Sequence, residues 1–434
     1  MADRRLILLI GAFSASVIVL FIIRYWLFSA SLFFTPRLPL FRTPDSYVLG
    51  ASGRRFSGEK IRTASSELLL GGKEANLPVL GKDLSIENGC TCTHGRWAVV
   101  TTVNEPSPAV QRVHESDEWC LVVVGDAKTP LVSWKNIANS KTCTTVLDLG
   151  LQKRYFPRIA ALIPENHFGR KNIGYLYALR QSAKMIWDFD DDNDGLPPLV
   201  DFTAPIAASK PRIVDPSGAL NPYPYFGSTE SRVWPRGLPL QRIHATNTKR
   251  VLYDVTEISI SNVGVVQYLA NHDPDVDAVF RLTRTGQFNW KATAETHRPW
   301  LLPAGRYAPF NAQASLWCSP ATFRNMLLPI TVHGRASDIW RSYIAERMFP
   351  RQMRVLYAPP VVVQTRNDHD NIKDMDAEHA LYHQSEQLVN FLARNRFPSS
   401  LALTKALYER GYLGAGDIAL RQAWDAAVDA MMMP

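Results

Sequence analysis

Four apolar segments constrain the fold of this chain most, because each has the length and composition of a buried β-strand. Segments with helical spacing lie between them, one beginning at Pro108 and another within 165–183. Strands that alternate with helices predict an α/β fold built on a parallel sheet. The four segments are RWAVVTTV at 96–103, WCLVVVGD at 119–126, TTVLDL at 144–149 and KMIWDFDDDN at 184–193.

Polar residues stand at the ends of three of these predicted strands. Thr101 and Thr102 end the first strand, Gly125 and Asp126 end the second, and the acidic segment 188–194 follows the last. Ligands of open α/β sheets bind at the carboxyl ends of the strands. The coincidence of three polar strand ends therefore predicts one binding site along that edge of the sheet.

The N-terminus predicts a membrane anchor. Residues 6–23 contain no charge, and after Arg24 the apolar character continues to Phe28, which is long enough to span a bilayer. We therefore predict a cytosolic tail at 1–5, a transmembrane signal anchor at 6–28 and a stem at 29–94. A short tail before a long remainder favours a single-pass type II protein with a lumenal head. A cleaved signal peptide is the alternative, since small residues follow at 29–31.

The composition and net charge limit the classes of binding partner that we expect. The chain has 434 residues, 46% of them hydrophobic, which supports a substantial core. Its net charge of +8 suits anionic partners, but no Lys/Arg tract occurs, so we expect no nucleic-acid partner. The five cysteines favour structural disulfides or buried thiols over a zinc site, and their odd number leaves at least one without an intrachain partner.

Three interpretations compete with a catalytic metal site for the acidic segment. Acids at alternating positions from Asp190 match a calcium loop of the EF-hand type, but Pro197 and Pro198 interrupt that loop. Asp188-Phe189-Asp190 matches the start of an aspartyl phosphotransferase, but the Gly-Thr expected next is missing. A solvated acidic turn is the third alternative, although the apolar residues 184–187 favour a strand end in a cleft.

The remaining interpretation is a D-x-D motif formed by Asp190, Asp191 and Asp192 that binds a divalent cation. Crowded carboxylates repel one another, and a hard cation with oxygen ligands relieves that repulsion. In a nucleotide-sugar-dependent glycosyltransferase, the cation also neutralises the charge that develops on the departing nucleoside diphosphate. We therefore expect Mn²⁺ or Mg²⁺ here, with a nucleotide-sugar, preferably a UDP-sugar, as donor.

Several stretches of the chain resemble a known family. RWAVVTTV, EWCLVVVGDAKTP, RKNIGYLYALRQSAKMIWDFDDDND, PFNAQASLW and LPITVHGRASDIWRSYIAERM are similar to sequences of the STELLO proteins. These are Golgi type II membrane proteins regarded as glycosyltransferases and distantly similar to the reversibly glycosylated polypeptides. The resemblance covers roughly 95–395.

The resemblance implies a GT-A-like nucleotide-sugar-binding fold with a mixed central sheet, and it places the metal motif on Asp190–Asp192. It suggests Asp338 as the catalytic carboxylate, acting on the acceptor hydroxyl as general base if the enzyme inverts. The nucleotide-site candidates that it suggests are Thr101, Thr102, Asp126, Arg170, Lys171 and Asn172.

These expectations combine into one domain plan. A GT-A-like catalytic domain occupies 95–350, and a mainly helical C-terminal extension occupies 351–434. The protein is expected in the Golgi membrane with a lumenal head, as a transferase of sugar to a glycan or glycoprotein acceptor, as a homo- or hetero-oligomer or alone. The alternative is a catalytically silent Golgi scaffold that assists the assembly of other glycan-synthesising enzymes.

Further local patterns can be compared with the structure. Residues 261–284 suggest a helix followed by an acidic loop and a strand, and Ser337-Asp338 suggests a helix start. Asp417 suggests another helix N-cap. Two apolar stripes predict packed C-terminal helices, and they are formed by Leu381, Leu388 and Leu392 and by Leu420, Trp424 and Val428.

Overall fold

The computed structural model describes residues 73–81, 92–140, 143–198, 204–211, 218–228, 233–244, 253–284, 288–291, 293, 297–366 and 369–432. All of them belong to one compact unit, Ala64–Pro434. The predicted cytosolic tail, the predicted anchor at 6–28 and most of the predicted stem lie outside these residues. Within the described ranges, none of the helices combines the length and apolar character needed to span a bilayer.

The first half of the described chain alternates strands and helices, as its apolar segments predicted. Strands β1 to β4 pair in parallel in the order β3-β2-β1-β4. All six residues of β2 are buried, as expected for a strand covered on both faces. The elements are β1 (Arg96–Thr102), α1 (Pro108–Glu115), β2 (Cys120–Gly125), α2 (Leu131–Ser140), β3 (Thr144–Leu147), α3 (Leu149–Tyr155), α4 (Pro157–Leu162), α5 (Lys171–Arg180) and β4 (Met185–Phe189).

The second half extends the same sheet with mixed polarity. Its elements are β5 (Asn193–Asp194), β6 (Ile206–Pro211), β7 (Tyr253–Ile258), β8 (Val263–Asn271), α6 (Ala278–Thr283), β9 (Trp300–Leu301), β10 (Ala314–Trp317), α7 (Pro320–Phe323), α8 (Gly334–Met348), β11 (Arg354–Gln364), α9 (Asn371–Ala377), α10 (His379–Arg394), α11 (Ser400–Glu409) and α12 (Ala415–Met432). Strand β10 lies antiparallel between β4 and β8, and β8 pairs in parallel with β11. This mixed α/β architecture with a mixed central sheet fits a GT-A-like fold.

Close packing fixes helix α5 against the centre of the sheet. A Cβ atom at Gly174 would lie 2.5 Å from Val99 of β1 and 2.6 Å from Val124 of β2, so only glycine allows this approach. The neighbouring residues of the helix are buried as a consequence, including Lys171 at its first position. Helix α5 thereby carries a charged side chain beneath the end of β4.

The prediction for 261–284 was wrong in its order of elements. Val263–Asn271 forms a strand, and the helix follows at Ala278–Thr283 after an N-cap at Asp277. The apolar run VGVVQYLA can satisfy helix or strand by periodicity alone. Its β-branched residues and its burial between β10 and β11 decide for a strand.

Two predicted helix starts were also wrong. Helix α8 begins at Gly334, where the His333 side chain accepts from the Arg335 N–H, so Asp338 lies inside the helix. Helix α12 begins at Ala415, and the Asp417 carboxylate instead accepts from the Ile330 N–H at 2.7 Å. Both predicted apolar stripes are confirmed, because all six side chains are at most 1% exposed.

The chain beyond residue 350 contributes to the central sheet as well as to the helices. Strand β11 begins at Arg354, inside the segment predicted as a mainly helical extension, and helices α9 to α12 follow it. The cysteine prediction is confirmed where it can be seen. Cys92 and Cys120 form a disulfide that ties the chain before β1 to β2, and Cys318 is a free, buried thiol.

Candidate functional site

The three polar strand ends meet, as the sequence predicted. The Thr102 hydroxyl at the end of β1 donates to the Asp191 carboxylate, and Asn104 Nδ2 donates to the same oxygen at 3.0 Å. Thr129 Oγ1 donates to the Thr102 carbonyl at 2.6 Å and accepts from the Asp126 N–H at 2.7 Å. The ends of β1 and β2 and the acidic loop after β4 therefore form one hydrogen-bonded edge.

A fully buried ion cluster lies directly beneath this edge. Asp188, the fourth residue of β4, has its Oδ1 2.7 Å from Lys171 Nζ and its Oδ2 2.7 Å from Arg341 Nη1. Lys171 Nζ also lies 3.0 Å from Asp190 Oδ1. Burial disfavours the charged Lys171, but Asp188 and Asp190 outweigh that cost and raise the pKa of the ammonium group. Lys171 therefore fixes the first acid of the motif from below.

The acids of the motif are short of positive charge. Burial raises the pKa of Asp190 to about 7 against the effect of Lys171, and Asp192 raises it further. Burial, with a contribution from Asp191, likewise raises the pKa of Asp192. An added cation stabilises ionised carboxylates in such a place, and carboxylate oxygens are the ligands that hard divalent cations prefer.

The residues fit a cation only as part of a coordination shell. Among the described residues, no group of three or more His, Cys, Asp or Glu side chains is placed to hold a metal ion. Carbonyl, water or substrate oxygens complete such shells in Mg²⁺ sites. The donor chemistry of Asp190 and Asp192 thus fits a hard cation that shares its ligands with a bound molecule.

An amide network connects Asp192 with the interior, and the sequence analysis missed most of it. The Asp192 carboxylate accepts from Asn193 Nδ2 at 2.7 Å and from Gln364 Nε2 at 3.3 Å. Gln313 donates to Asn193 at 2.9 Å and to Gln364, and it accepts from Asn311 at 3.1 Å. The available signal was the polar PFNAQAS segment, which leads into β10, but the partners come from distant elements.

Asp338 lies at the inner end of this network and is not open to solvent. Its two carboxylate oxygens accept from Arg236 Nη1 at 3.0 Å and Nη2 at 2.8 Å, and the Ala312 N–H donates to it at 3.3 Å. Arg236 also pairs with Asp275, whose Oδ2 accepts from Asn311 at 2.9 Å. The Asp338 side chain is 7% exposed.

Asp126 and Arg170 serve the protein interior in this structure. The Asp126 carboxylate accepts from the N–H groups of Asn166 at 2.7 Å and His167 at 3.1 Å, which holds the loop before α5. Arg170 is 1% exposed and donates to Gln152 and to the Ile163 carbonyl, both at 2.8 Å. Burial lowers the pKa of Arg170, against the effect of Asp126.

Most of the remaining nucleotide-site candidates also bond to other parts of the protein. Asn172 is buried and exchanges hydrogen bonds with the backbone of Leu328, and Thr101 Oγ1 donates to the Val124 carbonyl at 3.1 Å. Lys171 is fully buried within the ion cluster. Among the six, only Thr102 and Lys171 donate directly to the acidic motif, Thr102 to Asp191 and Lys171 to Asp190, and the other four bond to the protein interior.

Comparison with known proteins shows a similarity to one family. Residues 335–424 match the family described as STELLO glycosyltransferases. The chain is 29% identical over 349 residues to "Probable glycosyltransferase STELLO2" and, over the same length, to "Probable glycosyltransferase STELLO1", both of Arabidopsis thaliana. Each alignment covers 76% of this chain and 44% of the relative, so the chain spans less than half the length of these curated relatives.

The segment that matches the STELLO family contains the structural core of the site. It includes Asp338 and Arg341 of α8, which hold Arg236 and Asp188, and it includes β11, whose Gln364 contacts Asp192. The acidic motif itself lies outside that segment. The matched segment therefore supports the acidic edge without supplying it.

Proposed function

We propose that this chain is a divalent-cation-dependent glycosyltransferase that transfers a sugar from a nucleotide-sugar, preferably a UDP-sugar, to a glycan or glycoprotein acceptor. The observation that carries the proposal is the acidic motif at the carboxyl ends of parallel strands, bonded to the end of β1. We further propose a Golgi membrane protein of type II, with residues 6–28 as the anchor and the described residues in the lumen. The length of the apolar segment and the family support this placement.

The residues around the leaving group would have separate roles. Bound Mn²⁺ or Mg²⁺ would neutralise the charge of the departing diphosphate, and Asp190 and Asp192 would hold the ion. Thr102 and Asn104 orient Asp191, and Lys171 fixes Asp190 from below. The amides of Asn193 and Gln364 hold Asp192. All three acids are thus placed before a ligand arrives.

The ion pair with Arg236 bears on the role of Asp338. A general base needs a lone pair that can reach the acceptor hydroxyl, and both Asp338 oxygens accept from Arg236. We therefore propose that Asp338 is a positioning residue that holds Arg236 and the Asn311–Gln313 segment in place. A base freed from Arg236 during turnover is the competing role, and a pH–rate profile separates the two.

Binding measurements test the proposed function. We expect calorimetry on the purified full chain to show UDP affinity that rises with Mn²⁺ and is lost in Asp190→Asn/Asp192→Asn. Asp194→Asn is the matched control, because Asp194 follows the motif directly in β5 but pairs with Arg112 on the surface. Wild-type binding by the double variant would remove the metal site from the acidic motif.

Transfer assays with a panel of UDP-sugars separate enzyme from scaffold. Turnover that requires Mn²⁺ or Mg²⁺ supports the transferase. Tight metal-dependent UDP binding without transfer from any donor would instead support a scaffold that retained the site. For the proposed placement, a protease applied to sealed Golgi vesicles should spare the described residues until detergent is added. Digestion without detergent would contradict a lumenal head.

A further inference from the structure

A polar cavity lies at the end of the sheet opposite the acidic motif. It has a volume of about 780 Å³, which is in the range of small-molecule sites. Four separate chain segments line it: the loop after β9 (302–307), the end of α8 with the following turn (346–351), the start of β11 (353–355) and the end of α10 with the following turn (393–397). Arg354 is the first residue of β11, whereas Gln364, which contacts Asp192, is the last. The ten residues of extended chain between them place the cavity roughly 30 Å from the acidic motif.

Arginine dominates the lining of this cavity. Six arginines belong to it, and the only acidic side chain among its lining residues is Glu346. Within the described part of the chain, none of the six forms an ion pair with an acidic side chain. The six are Arg306, Arg347, Arg351, Arg354, Arg394 and Arg396.

The single carboxyl group does not balance this charge. Burial raises the pKa of Glu346 well above its ordinary value, which favours the neutral form of the group. Its oxygens accept from the Ala308 N–H at 3.3 and 3.4 Å and thus face the protein. By contrast, the guanidinium groups of Arg236 and Arg341, which are buried in the interior, have carboxylate partners. The cavity therefore concentrates positive charge that the acidic side chain of its lining does not balance, and this charge can attract an anionic ligand.

Parts of the arginine set are held in place by the protein. Arg347 Nε donates to the Asn395 carbonyl at 2.8 Å, and its guanidinium carbon lies 5.9 Å from the centre of the Phe397 ring. Arg354 Nη1 donates to the carbonyls of Arg351 and, at 2.8 Å, Met353. These bonds leave other N–H groups of each guanidinium free to donate. A planar guanidinium matches phosphate oxygens in two parallel hydrogen bonds.

We propose that this cavity binds a small anionic molecule with at least two phosphate groups. Two groups are needed because one phosphate can engage only some of six arginines spread over four segments. The arginines line a concave cavity between four segments, and this shape suits a free molecule better than a lipid headgroup at a flat bilayer surface. The proposal concerns the edge opposite the acidic motif, so it stands or falls separately from the proposed glycosyl transfer.

The test uses the full chain in EDTA, so that no divalent cation supports binding at the acidic motif. We expect calorimetry at low salt to show pyrophosphate binding at least ~10-fold tighter than binding of inorganic phosphate, since two charged groups share the arginines. Arg306→Gln/Arg354→Gln should weaken pyrophosphate binding at least ~10-fold, the loss expected for removing charge-assisted hydrogen bonds. Arg298→Gln, an exposed arginine outside the cavity, and Asp190→Asn/Asp192→Asn should bind as wild type does.

Distinct results overturn the proposal. Wild-type affinity in the cavity variant would do so, as would an equal loss in Arg298→Gln or loss in the acidic-motif variant. Binding to vesicles containing phosphatidylserine without any binding of pyrophosphate would assign the arginines to a membrane surface instead. Thermal melting checks the fold of each variant. If Arg306→Gln/Arg354→Gln does not fold, Arg394→Gln/Arg396→Gln removes two exposed arginines of the same cavity and gives the same test.

Discussion

Arg236 holds the carboxylate of Asp338 in a two-point ion pair, with Nη1 3.0 Å from Oδ1 and Nη2 2.8 Å from Oδ2. Arg236 pairs equally with Asp275, through Nε at 2.7 Å and Nη2 at 3.0 Å. One buried guanidinium therefore serves two buried carboxylates. Removing Arg236 leaves both carboxylates without their cation, whereas removing the Asp338 charge leaves Arg236 paired with Asp275.

Arg236→Gln should destabilise the fold more than Asp338→Asn does. The first change leaves two buried carboxylates without their cation and should cost about 3–5 kcal/mol, the usual effect of breaking a buried pair. The second leaves Arg236 paired with Asp275 and should cost about 1–3 kcal/mol. Urea unfolding of both variants measures the difference. Equal losses, or a larger loss in Asp338→Asn, would contradict the shared-cation arrangement.

Thr102→Val should weaken Mn²⁺-dependent UDP binding although it keeps the shape of the side chain. The hydroxyl is lost that holds Asp191, the residue between the two proposed ligands Asp190 and Asp192. A hydrogen bond to a charged group contributes about 1.5–3 kcal/mol, or roughly 10–100-fold in affinity. Thr102→Ser retains the hydroxyl and is the control. Calorimetry compares the three proteins, and unchanged affinity in Thr102→Val would show that Asp191 needs no orientation from β1.

Lys171→Met should unfold the protein at a lower urea concentration than wild type. The change removes a fully buried ammonium group from Asp188 and Asp190, and we expect a loss of about 3–5 kcal/mol. Lys184→Met is the control, because Lys184 is exposed and lies directly before β4. Its effect on the free energy of unfolding should stay within about 0.5 kcal/mol. Similar midpoints for both variants would argue against a central role of Lys171.

The buried Asp417 should make stability depend on pH. Burial raises its pKa from 3.8 to about 6, so the folded state binds a proton that the unfolded state has released between these values. The free energy of unfolding should therefore fall as pH rises from about 4 to about 6 and then level off, by at most about 3 kcal/mol from this group. Denaturation at pH 4.5 and 6.5 measures the fall. Asp417→Asn should show a smaller fall than wild type, and parallel pH dependence in the two proteins would refute the assignment.

The sequence determined those elements whose signal is local. The segments at 96–103, 119–126, 144–149 and 184–193 are rich in apolar or β-branched residues and end in polar ones, so both the parallel strands and their functional edge could be predicted. The acidic motif could be placed at a strand end for the same reason. Periodicity failed at 261–284, because a continuous apolar run is compatible with helix and strand, and the neighbouring strands decided between them.

Only the tertiary structure decided what each charged residue faces. Arg236 comes from an irregular, proline-rich stretch that carries no periodic signal, yet it occupies the space between Asp275 and Asp338. Arg170 and Lys171 look in the sequence like the solvated start of a helix, and close packing at Gly174 buries them instead. The partner of a buried charge is set by which distant segments the fold brings within a few ångströms. Local composition therefore predicts where a strand ends, whereas charge pairing depends on contacts between separate segments, as for Arg236 and Asp338, which are 102 residues apart.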